Sequence, residues 1–272
     1  MVVFPNAKIN IGLFITNKRD DGFHDLETVF YPIPFCDALE VMPNKKNEFN
    51  FTCSGLPVEN TSENLCIKAY KLIRNDYPFI PELQMWLHKA IPTGAGLGGG
   101  SADASFTLKL LNEEFQLNIS EEKLLQYALS LGSDCPFFIQ NKACIAKGRG
   151  EIMEPVNVDL RNYYIIVVHP GIHINTGWAF KQLQPKPVGF SLKKIAEEKI
   201  ETWRDFVRND FEKPVFELYP EIKKIKEELY KKGALFASMT GSGSSVYGLF
   251  SEDPANIEFE FKAKYLRFIS VL

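Results

Sequence analysis

The stretch "IPTGAGLGGGSADAS" (residues 91–105) contains five glycines between a predicted strand and a predicted helix. Glycine adopts backbone conformations that other residues avoid, and it lets the chain approach a ligand closely. Consecutive backbone N–H groups that lead into a helix N-terminus point at anions, typically phosphate. So many glycines are excessive for a surface turn, which is the alternative interpretation. We therefore interpret this stretch, the glycine run, as a phosphate cradle in which the Ser101 hydroxyl is a further polar ligand.

Two well-known phosphate loops fit the glycine run poorly. A Walker A loop requires G-x-x-x-x-G-K-[ST], and no lysine follows these glycines, so that class is excluded. "GAGLGG" (94–99) matches the dinucleotide pattern G-x-G-x-x-G, but the preceding strand is amphipathic and carries polar residues such as His88. The acids Glu113 and Glu114 fall inside the predicted helix rather than at the end of a next strand. Hydride transfer is therefore disfavoured.

Composition limits the class of protein. A length of 272 residues allows one large domain or two smaller ones, and 45% hydrophobic with 24% charged residues is typical of a soluble globular protein. The net charge of −3 argues against a nucleic-acid partner. Five scattered cysteines without a CxxC pair indicate reduced thiols and no zinc site. No apolar run reaches transmembrane length and no signal peptide is apparent, so we expect a cytoplasmic protein without a membrane partner.

Periodicity along the chain predicts mixed strands and helices. Alternating or short apolar segments predict strands at 7–15, 27–33, 37–43, 48–55, 82–92 and 163–171, and strand, loop and strand at 235–250. Helical spacing predicts helices at 62–77, 101–116, 120–132 and 220–233. The first 60 residues lack regular βαβ alternation, which favours an α+β fold. The polar segment "EPVNVDLRN" (154–162) predicts a boundary between domains 1–157 and 158–272.

Three features resemble the GHMP kinase superfamily, named for galactokinase, homoserine kinase, mevalonate kinase and phosphomevalonate kinase. From Pro92 to Ser101 the glycine run reads P-x-G-x-G-L-G-G-G-S, which is similar to the phosphate-binding motif of the superfamily. The N-terminal strand carries Lys8, and a second glycine loop, "MTGSGSS" (239–245), lies late in the chain. The resemblance implies an α+β fold of two domains, the first like domain 2 of ribosomal protein S5 and the second ferredoxin-like.

Four further segments resemble one branch of that superfamily. They are "AKINIGLFI" (7–15), "DDGFHDLETVF" (20–30), "LGSDCPFF" (131–138) and "HPGIHINT" (169–176). Members of the branch use ATP to phosphorylate the 2-hydroxyl of a cytidine diphosphate ester of a methylated tetritol, in the non-mevalonate isoprenoid pathway. The resemblance thus implies ATP and Mg²⁺ as cofactors, a small-molecule substrate, and a monomer or weak homodimer.

The catalytic residues implied by the resemblance are Lys8 and Asp134. In the family the lysine sits beside the catalytic aspartate, and a neighbouring cation keeps a carboxylate ionised. The aspartate accepts the proton of the attacking hydroxyl or holds that hydroxyl in place. Without the resemblance, Lys8 would fit an exposed strand edge, and Asp134 would fit a turn that follows a helix.

The resemblance also assigns binding residues. The ATP-binding set is Asn64, Pro92, Thr93, Gly94, Ala95, Gly96, Leu97, Gly98, Gly99, Gly100, Ser101, Ala102 and Asp103. The substrate-binding set is Asn10, Phe23, His24, Thr176, Phe180, Gly241 and Gly243. Phe23 and Phe180 would stack on the cytosine ring, while His24 would bind its hydrogen-bonding edge. Trp178 remains the alternative to Phe180, because a small shift of the match within this segment exchanges them.

The end of the glycine run departs from the family pattern. The family usually has G-G-G-S-S-N-A-A, whereas this chain has "GGGSADAS" (98–105). Ala102 removes a hydroxyl, and Asp103 places a carboxylate beside the polyphosphate, which it repels unless it faces Mg²⁺ or another cation. A contact between Asp103 and Mg²⁺ is therefore a hypothesis, and no metal ligand is assigned.

Two other functions stay open. One is a different small-molecule kinase of the same superfamily, against which Phe23, His24 and residues 169–176 argue, since these segments carry the cytidine resemblance. The other is a nucleotide-binding protein without catalysis. The presence of both Lys8 and Asp134 argues against it.

Overall fold

The computed structural model describes residues 1–58, 63–262 and 264–272. Its strands are β1 (Val2–Val3), β2 (Asn6–Lys18), β3 (His24–Cys36), β4 (Ala38–Pro43), β5 (Asn50–Gly55), β6 (Leu83–Lys89), β7 (Cys144–Lys147), β8 (Ile152–Pro155), β9 (Tyr164–His169), β10 (Phe236–Met239), β11 (Val246–Phe250) and β12 (Leu266–Val271). Its α-helices are α1 (Leu65–Asp76), α2 (Gly99–Glu114), α3 (Glu121–Leu131), α4 (Cys135–Gln140), α5 (Thr176–Lys181), α6 (Lys194–Glu197), α7 (Ile200–Trp203), α8 (Glu212–Leu218) and α9 (Pro220–Lys231). The predicted α+β class is confirmed.

Local sequence signals explain several element ends. The predicted helix 62–77 is observed as α1, and its predicted start, Ser62, lies outside the described residues. Ser120 caps α3 by accepting the N–H of Lys123, as Ser and Asp side chains do at helix starts. The helix predicted at 101–116 begins two residues earlier, because Gly98 adopts the left-handed conformation and turns the chain into α2. Strand β12 was not predicted; it pairs antiparallel with β9.

The chain divides into two compact units, and unit 1 contains residues 1–7, 35–93 and 98–141. Its sheet has the strand order β1-β4-β6-β5, in which β4 and β6 run antiparallel and β5 and β6 run parallel. Helices α1, α2 and α3 contribute to one core with the apolar face of this sheet. Fully buried members of that core include Leu39, Ile73, Met85, Leu108 and Leu111. This core holds the start of α2 against the end of β6.

Unit 2 contains residues 8–34, 94–97 and 142–272, with sheets ordered β2-β3-β7-β8 and β10-β11-β9-β12. Strand β9 lies inside the second sheet, between β11 and β12, which explains its continuous apolar sequence. Residues 94–97 of the glycine run therefore group with unit 2, and the residues from Gly98 onward group with unit 1. The domain boundary at 157/158 stays a prediction, which limited proteolysis would test.

Across the described residues, no helix is both long and apolar enough to cross a membrane. The five cysteines are all free thiols.

Candidate active site

The N-terminal end of α2, in unit 1, presents backbone N–H donors. Gly98 has φ 73°, and the first helical hydrogen bond runs from the Ala102 N–H to the Gly98 carbonyl at 2.9 Å. The N–H groups of Gly99, Gly100 and Ser101 therefore have no acceptor within the helix, and they point out of its N-terminal end. Together with the helix dipole they form an arrangement that suits an anion.

Neighbouring glycines at this helix end differ in their surroundings. A Cβ on Gly99 would lie 2.8 Å from Cγ2 of Ile91, closer than side chains pack. A Cβ on Gly100 would meet only Cδ1 of Leu65, at 4.0 Å. Packing therefore requires glycine at position 99, whereas nothing described in the fold requires it at position 100. A ligand that approaches the backbone of Gly100 would supply the missing reason.

In unit 2, residues 94–97 of the glycine run cross the second glycine loop backbone to backbone. Gly96 has φ 79°, and a Cβ there would lie 2.0 Å from the carbonyl oxygen of Thr240. A Cβ on Gly241 would lie 2.9 Å from Cα of Gly96, and one on Gly243 would lie 2.7 Å from side-chain atoms of Ile174. Gly96, Gly241 and Gly243 are thus required by close approach within the fold itself.

Lys8 and Asn10 lie on the buried face of β2, so the alternative of an exposed strand edge is wrong. Lys8 is 3% exposed, and its Nζ donates to Oδ1 of Asn10 at 2.6 Å and lies 4.7 Å from the ring centroid of Phe30. Oδ1 of Asn10 also accepts the N–H of Gly241 at 2.9 Å, and Nδ2 donates to Thr28 at 3.0 Å. Asn10 therefore links the lysine to the second glycine loop.

Sequence reasoning missed two hydroxyls around Asn10. Oγ1 of Thr240 accepts the Asn10 N–H at 3.1 Å, and its one proton has two acceptors within reach, Oδ1 of Asn10 at 3.2 Å and the Gly96 carbonyl at 3.0 Å. Thr28 is fully buried beside Asn10. Thr240 was visible as the polar residue that opens the second glycine loop, whereas Thr28 reads as an ordinary strand residue.

Asp134 occupies the N-cap position of α4 and is half-buried, and its side chain does not cap the helix. The next residue, Cys135, is tied to α2, because Oγ of Ser105 donates to its carbonyl at 2.7 Å. Burial, with a contribution from the adjacent Asp134 charge, raises the pKa of that thiol to about 11. Within unit 1, Asp134 is therefore held close to α2.

Other residues of unit 1 that the sequence analysis assigned to ATP lie around the same helix end. Asn64 caps α1, since its Oδ1 accepts the N–H of Cys66 at 2.8 Å, and the following Leu65 faces Gly100. Thr93 is exposed, while Pro92 and Ala102 are buried. Asp103 is 3% exposed, and its Oδ2 accepts Nζ of Lys89 at 2.7 Å. The sequence analysis allowed Mg²⁺ or another cation as the partner of Asp103, and the structure places the ammonium of Lys89 there.

Three aromatic residues assigned to the substrate lie in unit 2. The rings of His24 and Phe180 stack with centroids 4.8 Å apart and planes 21° apart. Burial, with Lys18 nearby, lowers the pKa of His24. Phe23 is 51% exposed, and the guanidinium of Arg149 lies 4.2 Å from its ring centroid. The structure thus joins His24 with Phe180, and it adds Arg149, which the sequence analysis did not single out.

Thr176 and Trp178 lie beside this aromatic group in sequence. Thr176 is exposed at the start of α5, and its Oγ1 lies 3.1 Å from Oγ of Ser242 in the second glycine loop. Trp178 is partly buried against the core of unit 2, as is Phe180. Phe180 differs in that one face of its ring is covered by an imidazole.

Acidic and sulfur-containing side chains do not gather into a metal site here: within residues 1–58, 63–262 and 264–272 there is no group of three or more His, Cys, Asp or Glu that could hold an ion. This part of the chain therefore offers Mg²⁺ no ready-made protein cage. Mg²⁺ commonly binds through substrate phosphates and water with only one or two carboxylates.

Comparison with known protein families identifies the chain as a small-molecule kinase of the GHMP type. Residues 64–142 match the family described as GHMP kinases N terminal domain, and residues 191–266 match GHMP kinases C terminal. A crystal structure of mevalonate kinase from L. major in complex with R-mevalonate, 16% identical, covers 99% of this chain and 95% of its own with a TM-score of 0.69. That likeness concerns the fold alone.

The similarity to one kind of GHMP kinase is much stronger. The chain is 50% identical to the 4-diphosphocytidyl-2-C-methyl-D-erythritol kinase of Bacteroides fragilis over 97% of both chains, and 47% identical to that of Cytophaga hutchinsonii over 93% and 94%. A crystal structure of 4-(cytidine 5′-diphospho)-2C-methyl-D-erythritol kinase is 29% identical, covers 92% of this chain and 90% of its own, and has a TM-score of 0.78. The chain belongs to the 4-diphosphocytidyl-2-C-methyl-D-erythritol kinase family.

Proposed function

We propose that this chain transfers the γ-phosphoryl group of ATP to the 2-hydroxyl of 4-diphosphocytidyl-2-C-methyl-D-erythritol, giving the 2-phosphate and ADP. The observation that carries the proposal is the 50% identity to a relative of that name over 97% of both chains. In the reaction the substrate oxygen forms a bond to the γ-phosphorus, and the bond from that phosphorus to the β–γ bridging oxygen breaks. The proton of the hydroxyl is left to a protein base or to water.

The ATP phosphates bind along residues 92–103 in this proposal. The amides of Gly99, Gly100 and Ser101 point out of the end of α2, where the helix dipole favours negative charge. Glycine at position 100 leaves room for a phosphate to approach the backbone. Donors held in place before the reaction stabilise charge without reorganisation, which supports phosphoryl transfer.

Asp134 is proposed to accept the proton of the attacking hydroxyl or to orient it, and Lys8 is proposed as the second catalytic residue. The hydrogen bond from Ser105 of α2 to the carbonyl of Cys135 supports the placement of Asp134 near that helix. Lys8 supplies an ammonium that Asn10 holds by a hydrogen bond. Phosphoryl transfer depends chiefly on such positioning and on electrostatics.

The cytosine ring is proposed to bind beside Phe23, His24 and Phe180. An aromatic face stacks on any base, whereas an imidazole can hydrogen-bond the edge of one base selectively. Because His24 covers a face of Phe180, a base that stacks there must displace the imidazole from that face. The displaced imidazole would then be available for the edge of the base.

Mg²⁺ is proposed as the accompanying ion, held mostly by phosphate oxygens and water. It would neutralise charge that develops on the transferred phosphoryl group and on the leaving oxygen. A cytoplasmic location, a monomer or weak homodimer, and the absence of nucleic-acid and membrane partners remain predictions. Light scattering coupled to size-exclusion chromatography would test the oligomeric state.

The direct test is turnover. The protein is incubated with ATP, Mg²⁺ and the cytidine-containing substrate, and ADP release is followed in a coupled assay while phosphorus NMR locates the new phosphate monoester. We expect ADP and the 2-phosphate in equal amounts. Homoserine and mevalonate serve as matched acceptors of other GHMP kinases, and turnover of either in place of the cytidine ester would reject the proposal.

A further inference from the structure

Three charged side chains of unit 1, Asp37, Lys89 and Asp103, form a buried group that we call the Lys89 cluster. Their side chains are between 0% and 4% exposed. Nζ of Lys89 pairs with Oδ2 of Asp37 and, at 2.7 Å, with Oδ2 of Asp103. Oδ1 of Asp37 accepts the N–H groups of Ala90 at 2.6 Å and Ile91 at 2.8 Å. The cluster therefore joins the end of β6 and the start of β4 to α2.

Lys89 touches α2 in two successive turns. Gly99 and Asp103 are four residues apart, so they lie on the same face of the helix. A Cβ on Gly99 would lie 3.3 Å from Nζ of Lys89, and Asp103 binds the same nitrogen. The first turn of α2 is thus held between a close contact at Gly99 and an ion pair at Asp103. That turn carries the amides of Gly99, Gly100 and Ser101.

The charges of the cluster are unequal, with two carboxylates around one ammonium. Burial raises the pKa of Asp103 to about 7, and Asp37 adds to this rise while Lys89 opposes it. Burial lowers the pKa of Lys89, but the two carboxylates more than offset this and raise it. The other titratable groups that interact with the cluster include the thiols of Cys36, Cys53 and Cys66.

The two oxygens of Asp103 have different surroundings. Oδ2 binds Lys89, whereas Oδ1 is buried and has no hydrogen-bond partner in the part of the chain that the structure describes. An Asn at this position keeps one oxygen for Lys89 and loses only the charge, while Ala or Leu loses the tie between Lys89 and α2.

We propose that the Lys89 cluster positions the first turn of α2 for the ATP phosphates, so that Asp103 acts as a positioning residue inside the fold and not as a metal ligand. The proposal rests on the proposed function, which assigns the phosphates to residues 92–103. Phosphate donors act only when correctly aimed, and small misplacements cost large factors in affinity and rate. The proposal explains why a carboxylate is tolerated close to the proposed polyphosphate site, because the carboxylate of Asp103 faces Lys89.

The test compares Asp103→Leu, Asp103→Ala and Asp103→Asn with Leu111→Ala, which removes core packing from a later turn of the same helix. Isothermal titration gives the Kd of a non-hydrolysable ATP analogue and of CDP, and steady-state kinetics give kcat and the KM for ATP. Asp103→Leu and Asp103→Ala are expected to raise the analogue Kd and the KM for ATP at least tenfold, with the CDP Kd unchanged within twofold. Asp103→Asn, which keeps an oxygen for Lys89, is expected to raise both constants less than Asp103→Leu does.

Two results would overturn the role of the cluster. One is an analogue Kd in Asp103→Leu no higher than in Leu111→Ala, which would leave the cluster with a structural role only. The other is equal damage in Asp103→Asn and Asp103→Leu together with a shifted Mg²⁺ titration, which would make the charge of Asp103 a metal contact. Asp103→Leu fills the vacated volume and leaves Lys89 paired with Asp37, so the test does not depend on the folding of Asp103→Ala.

A separate variant distinguishes failure of the proposed function from failure of the positioning role. Gly100→Val blocks the open side of the helix end without touching the Lys89 cluster. An unchanged KM for ATP in Gly100→Val overturns the phosphate placement itself. A raised KM there, with an unchanged KM in Asp103→Leu, overturns only the positioning role.

Discussion

The second glycine loop and the start of α2 both contain glycines, but for different reasons. Gly241 lies against the backbone of Gly96, and a Cβ on Gly243 would collide with Ile174. A Cβ on Gly100, at the start of α2, would have open space around it. Apart from its own helix and chain neighbours, the nearest described atom is Cδ1 of Leu65, at 4.0 Å. The comparison teaches that a glycine motif mixes residues required by the fold with residues that leave room for a ligand. The contacts that an added Cβ would make at each glycine distinguish the glycines required by the fold from those that leave room for a ligand.

The largest effect is expected where two backbones cross. Gly96→Ala would place a Cβ 2.0 Å from the Thr240 carbonyl at φ 79°, so we expect a loss of more than about 3 kcal/mol in the free energy of unfolding. Urea denaturation measures it. Gly94→Ala is the matched control, because φ is also positive but the nearest atom is 3.5 Å away, and it should cost only about 1–2 kcal/mol. Equal losses in both variants would contradict the crossing.

A large effect on activity is expected at Asp134. Asp134→Asn should lower kcat at least about a hundredfold, since an amide cannot accept the proton of the attacking hydroxyl. The Kd of an ATP analogue should stay near that of the unmodified protein, because the amide keeps the size and shape of the carboxylate. Near-normal turnover would refute the assignment.

Replacement of the adjacent glycines Gly99 and Gly100 by alanine should change the stability of the protein in opposite directions. Gly100→Ala should stabilise the helix by up to about 1 kcal/mol, because alanine has the higher helix propensity and meets open space, yet it should raise the KM for ATP. Gly99→Ala should lower stability, because its Cβ would lie 2.8 Å from Ile91. Thermal unfolding and ATP kinetics on both variants decide this. A KM for ATP that stays normal in a stabilised Gly100→Ala would remove the ligand-based reason for that glycine.

The smallest effect concerns the pH dependence of stability. The pKa of Asp103 is raised to about 7 by burial, above its ordinary value of 3.8, so between these values the folded state binds more protons than the unfolded state. The contribution of Asp103 to the free energy of unfolding should therefore fall as pH rises from about 4 to 7. Urea denaturation should show that the stability of the unmodified protein relative to Asp103→Asn declines over that range. A constant difference would contradict it.

The sequence pattern predicted the main elements because their signals are local. The apolar run of β9, the Ser120 cap of α3 and the proline at the start of α9 depend on neighbours within one or two turns. Strand β12 carried no comparable signal: its side chains alternate only between partly buried and exposed, and it is fixed by pairing with β9.

The candidate site was predictable only in part. The glycine run, Lys8 and Asp134 could be assigned by resemblance to the GHMP kinases, and the family membership is confirmed. The partners of Asn10 and the stacking of His24 on Phe180 involve residues far apart in the chain, so local periodicity held no information about them.

Residue order alone was enough for the α+β class and the kinase family, because these depend on short motifs and on hydrophobic period. Long-range packing set the direction of Asp103 toward Lys89 and the division of the glycines into those that the fold needs and those it leaves open. The physical reason is that a motif specifies which backbone conformations are possible. The atoms that meet each position come from segments whose distance in space is fixed only by the folded chain.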